Sequence, residues 1–132
     1  MNQSNVSAVT QLTGRMLMSS IFIMAGINKI SGYAGTQGYM ESMGVPGTLL
    51  PLVILLEVAG GLAILLGWQT RGAAFLLAGF SVLSAVIFHA NFGDQTQSIL
   101  FMKNMAMAGG LLFLVAGEKH DWSIDARQKA KA

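Results

Sequence analysis

Four apolar runs joined by short polar stretches leave this chain few ways to fold. They cover about residues 12–30, 49–66, 72–90 and 99–117 of 132. Each is close to the roughly 20 residues that carry a helix across a hydrocarbon core. Only 11% of the residues are charged, against 53% hydrophobic, about half the charged share of an ordinary soluble domain. A soluble all-helical fold would need amphipathic helices to cover the apolar ones, and the sequence offers almost none. The expected fold is all-α, an integral membrane four-helix bundle forming one transmembrane domain, with a polar tail at 118–132.

The first run does not read as a cleaved leader. No Lys or Arg precedes Arg15, and Ile27-Asn28-Lys29 is not a small-x-small cleavage site. Residues 31–47 are rich in Gly and Ser. Within 33–43, Tyr39, Met40 and Met43 recur at helical spacing, which fits a short interfacial helix as well as an irregular loop. Four crossings put both termini on one side. Arg15, Arg71, Lys119, Arg127, Lys129 and Lys131 fall on that side, and Lys29 and Lys103 on the other. The excess of positive charge predicts cytoplasmic termini.

Ionisable residues inside spans are costly and mark function by default, so their helical phase is informative. Arg15, Ser19, Phe22, Gly26 and Lys29 share one face of the first span. Glu57 shares a face with Gly60, Gly61 and Ile64, and His89 with Ala85 and Ala78. Lys103 shares one with Ala106, Gly110 and Gly117. Small residues mark helix–helix contact in membranes, so these charges are expected to point inward. Counted along the helices, Glu57 lies roughly 13 Å and Arg15 roughly 6 Å from the cytoplasmic face. That predicts an Arg15–Glu57 pair as the buried polar network. Lys29, His89, Lys103 and Asn104 fall toward the outer face as candidate ligand-binding residues, with Glu41 and Asp94 in the adjoining loops as local acids. Simpler roles stand beside these: Arg15, Lys29 and Lys103 as snorkelling anchors, His89 bonded to the 91–94 loop, and Asn104 as interhelical glue.

Much chemistry is missing. There is no Cys, which removes disulfides and thiolate chemistry. The two histidines, His89 and His120, are expected on opposite sides of the membrane, so they cannot form an axial haem pair. HExxH and P-loop motifs are absent, no metal site is expected, and no catalytic residue can be named. The nine Met read as packing. The basic tail suits anionic lipid, not nucleic acid. The chain has no redox centre of its own, so any redox group would be a bound ligand or a partner protein.

An ordered set of motifs resembles the DoxX family of small four-span bacterial membrane proteins. It comprises Gly14-Arg15-Met16-Leu17, Ala25-Gly26-x-x-Lys29, Gly44-Val45-Pro46 and Leu56-Glu57-Val58-x-Gly60-Gly61. It continues with Gly67-x-x-Thr70-Arg71, Phe88-His89 and Phe101-Met102-Lys103-Asn104-x-Ala106-x-Ala108-Gly109-Gly110. The resemblance runs over about residues 12–117. It implies a bacterial inner-membrane location and a link to quinone or sulfur redox systems and oxidative-stress assemblies.

The leading expectation is an accessory or quinone-interacting component of a membrane redox system. A quinone or lipid would lie in the outer half of the bundle, with Lys29, Lys103 and His89 donating hydrogen bonds to its head. Arg15–Glu57 would hold the helices in register or relay a proton. A small-solute or ion transporter built on the same charges, in a homo-oligomer, is a second reading. An assembly factor presenting Ala59 with Ala63, or Ala74 with Ala78, to a partner protein is a third.

Overall fold

The computed structural model describes residues 2–117 and 120–131, and all their regular structure is helical. Helix α1 spans Gln3–Ser31, α2 Tyr33–Ser42, α3 Leu50–Leu66, α4 Thr70–Phe88, α5 Gln95–Ala116 and α6 Ile124–Lys131. Three segments are long and apolar enough to cross a membrane: 47–66, 70–88 and 95–116. Helix α1 is the longest but is not among them. Its first turns are polar, and Arg15 and Lys29 fall within it.

Local chemistry sets the helix ends. Asn2 caps α1 by accepting the Asn5 N–H at 2.9 Å, so this helix starts nine residues earlier than the apolar pattern alone predicts. Polar residues at an aqueous helix end cost little helix propensity, which hydropathy does not register. Asp94 caps α5 through the Thr96 N–H at 2.9 Å. Helix α3 stops at Gly67, whose φ of 69° is left-handed and suits glycine. The Trp68 N–H then reaches back to the Ala63 carbonyl at 2.8 Å, satisfying an otherwise orphaned acceptor.

Helix α1 packs along α3 and α4 along α5, and contacts between α3 and α4 join the two pairs. Glycine permits the first pairing, since Gly26 lies against Val58 and Gly61 against Ser19 and Ile23. Phe22, Ile64, Ala74, Leu77, Ala78, Ala108 and Leu111 form the buried core. Ala74 and Ala78 therefore face inward and cannot offer a stripe to a partner. The 33–43 stretch is the short helix α2, as one of its two readings had it.

The tail is not a free polar strand. Glu118 and Lys119, the latter part of the charge count for orientation, lie outside the described residues. From residue 120 onward the chain docks on the ends of α1, α3 and α4. The Asp121 N–H donates to Gln11 Oε1 at 2.6 Å, and the Asp125 N–H to the Gly67 carbonyl at 2.8 Å. The Asp125 carboxylate accepts the Gln69 and Thr70 N–H groups, each at 2.8 Å, and so caps α4 from a distant part of the chain. Burial alone would raise this carboxyl. Hydrogen bonds from Thr70 and Gln69, together with the His120 charge, outweigh that and hold it below the ordinary range. Its contribution is thus complete above the usual carboxylate value and is lost as pH falls through the lower docked one. Asp125→Ala is expected to cost about 1 kcal/mol, as for other lost caps, and to speed chymotrypsin cleavage at Trp122.

Candidate functional site

Helices α1 and α3 run antiparallel, and their register decides which charges meet. Gly61 sits beside Ser19 and Ile23, and Gly26 beside Glu57 and Val58. Lys29, one turn beyond Gly26, therefore reaches Glu57, and its Nζ lies 2.7 Å from Glu57 Oε1. Glu57 is nearly sealed at 4% exposure, whereas Lys29 keeps 29%. This corrects the expected Arg15–Glu57 pair. Arg15 is eleven residues from Gly26 along α1, or roughly 16 Å. Depth counted from residue 12 misplaces the partner, because α1 begins at Gln3 and depth alone does not fix the register between two helices. Arg15 is buried as expected, at 0% exposure, but lies level with Gly67. There its Nη2 donates to the backbone carbonyls of Asp121 at 3.1 Å and Trp122 at 2.8 Å.

Between the two helix pairs lies a cavity of ≈ 450 Å³, within the roughly 300–1,000 Å³ typical of small-molecule sites. Its wall is mostly aliphatic and aromatic, with Phe22, Leu56, Phe80 and Met107 among the lining residues. Lys29, Glu57, Ser81, Ser84, His89 and Asn104 supply the main polar groups. Ile21, Leu52 and Leu83 belong to the wall and are exposed. Helix α2 covers one end. Its Tyr39 ring stacks on Phe88 of α4 with centroids 5.4 Å apart, and the Gln37 amide donates to the Gly47 carbonyl at 3.1 Å. Glu41, expected as a local acid for the outer donors, lies against Gly47.

The polar groups are oriented by neighbours. His89 Nδ1 lies 2.9 Å from Gln97 Oε1. When Nδ1 donates to that oxygen, Nε2 of the neutral ring is left as an acceptor. Asn104 Nδ2 donates to the Ser81 carbonyl at 3.2 Å, which ties α5 to α4 and turns Asn104 toward the cavity.

Of the four candidate ligand residues, the structure brings Lys29, His89 and Asn104 to one cavity and leaves Lys103 out. Lys103 is exposed and lines a separate groove with Gln95, Ser98, Ile99, Met102 and Ala106. The buried face of α5 runs through Ala108 and Leu111, with Asn104 in phase. Lys103 is offset by one residue, or about 100°. Tyr39, Phe88, Ser81 and Ser84 are lining residues that the sequence argument did not select. Tyr39 was visible at helical spacing within 33–43, but nothing local linked it to Phe88. Among the described residues no cluster of His, Asp or Glu could hold a metal ion.

Comparisons with known proteins agree with the helical, membrane-type character. A family model described as DoxX matches residues 10–90. The chain is 55% identical to inner membrane protein YqjF of Escherichia coli (strain K12), over 86% of this chain and 88% of the relative. It is 35% identical to inner membrane protein YphA of the same organism, over 90% of each chain. A more distant relative, named "Putative oxidoreductase CatD", comes from Bacillus subtilis (strain 168). It is 29% identical over 55% of this chain and 54% of the relative. No solved structure matches.

Proposed function

From the fact that this chain belongs to the DoxX family, we propose that it is a four-span inner-membrane protein and an accessory of a membrane redox system. Its cavity takes a small apolar molecule with a carbonyl- or hydroxyl-bearing head, and a quinone is the candidate class. Helix α1 serves as the fourth span: 29 residues rise roughly 44 Å, and its two charges turn into the protein. The excess of Lys and Arg on the side of the termini supports a cytoplasmic orientation for both. The names of YqjF and YphA support the inner membrane, and the word oxidoreductase in the CatD name supports the redox side.

One observation carries the reading: an apolar cavity with a few oriented polar groups, part of whose wall, at Ile21, Leu52 and Leu83, is exposed. A ligand dissolved in the acyl phase could enter between Ile21, Leu52 and Leu83. Lys29 would donate to a carbonyl of its head. His89 Nε2 would accept from a hydroxyl, so oxidised and reduced heads both find a partner. Glu57 holds Lys29 in place. The chain has no Cys, and electrons would come through a bound group or a partner protein.

Calorimetric titration of a short-chain ubiquinone into the detergent-purified full chain tests this. Saturable binding is expected. His89→Ala should weaken it about tenfold, the worth of roughly one hydrogen bond. Ala25→Phe should abolish it by filling the cavity, and Lys103→Ala should leave it unchanged. Absence of saturable binding by the native protein overturns the proposal, as does a co-purified phospholipid in the cavity that the quinone does not displace.

A further inference from the structure

At the end of the molecule away from the cavity, the docked tail sets a histidine within the field of a buried cation. Arg15 is wholly buried. Its Nη2 holds the carbonyls of residues 121 and 122, while Nε and Nη1 have no hydrogen-bond partner among the described residues. His120 immediately precedes that grip. It is 9% exposed, and its Nε2 is likewise buried without a partner among the described residues. The charged groups acting on the ring are Arg15 from α1, Arg71 from α4 and Asp125 from α6. Asp121 follows it in the chain and has an interaction of its own. Glu118 and Lys119 lie outside the described residues.

We propose that His120 is an acid-sensitive release for the tail: neutral, it lets residues 120–131 stay docked, and protonated, it drives them off. A proton charges a ring that is almost sealed from water, and the Gly117 carbonyl beside it offsets only part of that cost. The proton also sets an imidazolium beside a guanidinium in a poorly solvated place. The Asp125 carboxylate favours the charged ring, but it is committed to the N-terminus of α4. Burial first, and the Arg15 charge second, push His120 below its ordinary value of 6.5. An undocked His120 therefore takes up its proton more readily than a docked one. Docking is complete above about 6.5 and weakens as pH falls from there through the lower docked value. Asp125 is held below the ordinary carboxylate range and does not titrate in that window. Release uncovers Arg15 and the start of α4, and frees Arg127, Lys129 and Lys131 for an anionic surface.

Hydrogen–deuterium exchange of residues 120–131 in the full chain, compared at pH 7.5 and 5.5 after correction for intrinsic rates, reads the docking directly. Protection is expected to drop at least tenfold at the lower pH. His120→Asn should give the same protection at both, and Asp125→Asn should give little at either. Unchanged protection in the native chain overturns the proposal, as does an equal drop in His120→Asn. Should that variant not fold, ring NMR of the native chain, assigned with His89→Asn, decides instead. A His120 midpoint below 6.5 that coincides with loss of protection supports the release, and a midpoint at or above 6.5 overturns it.

Discussion

Replacing Lys29 with methionine is expected to destabilise the protein by about 3–5 kcal/mol, the cost of stripping a buried ion pair of one partner. Glu57 is then left at 4% exposure, in a wall that is mostly apolar, with no other cation shown to reach it. The reverse change should be much milder. After Glu57→Gln, the Lys29 head sits on a flexible stem with 29% of its side chain already exposed and can turn toward the aqueous edge. A loss of about 1 kcal/mol, that of one hydrogen bond, is expected. The double change Lys29→Met with Glu57→Leu should recover most of the stability, because apolar groups of similar volume can replace such a pair at little cost. Unfolding in mixed detergent–dodecyl sulfate micelles, followed by helical circular dichroism, measures all three. Arg15→Met should add to Lys29→Met without coupling, since the two residues are separated by roughly 21 Å along α1. Coupling between Arg15 and Glu57 would instead restore the pairing that hydropathy suggested.

That exchange of partners marks the limit of what the sequence discloses. The inward face of α1 was legible from spacing and small residues alone: Arg15, Ser19, Phe22 and Gly26 are all buried, and so are Glu57, Gly61 and Ile64 on α3. Periodicity reports angle around a helix and says nothing about how far one helix slides along another. The slide is set by where Gly26 and Gly61 let the backbones close, a fact about two elements at once. Lys103 illustrates a different failure. On α5 small residues lie on more than one side, with Ala106 exposed and Ala108 buried, so the small-residue rule did not select a single face. The Asn104 bond to the Ser81 carbonyl did. The docking of residues 120–131 was not legible either. It rests on backbone carbonyls that meet Arg15 and on a carboxylate that meets the start of α4, both across long stretches of chain.

Gly61 should be the least replaceable glycine in the membrane-type helices. A methyl there would lie 2.7 Å from Ile23 Cγ1 and 3.3 Å from both the Ile23 nitrogen and the Ser19 carbonyl oxygen. The side-chain carbon can turn away, but the two backbone atoms can yield only if α1 moves as a body. At Gly26 the nearest atom is Val58 Cγ2 at 2.5 Å, with the Val58 nitrogen at 3.3 Å, so part of the strain can be relieved by a rotamer. Gly61→Ala is expected to cost about 1–3 kcal/mol, as overpacking does, and Gly61→Leu to part α1 from α3 altogether. Gly79 tests the opposite sign. Nothing lies within 4 Å of its added methyl, so Gly79→Ala should gain up to about 1 kcal/mol from helix propensity alone. The same micelle unfolding assay reads these changes. Glu57 lies one turn from Gly61 on the same face, so pushing α1 outward also stretches the Lys29–Glu57 contact. Gly61→Ala combined with Lys29→Met should therefore cost less than the two separately, because the first has already weakened what the second removes. Strict additivity would mean that the close approach of α1 and α3 and the ion pair are independent, and the register argued from these glycines would fail with it.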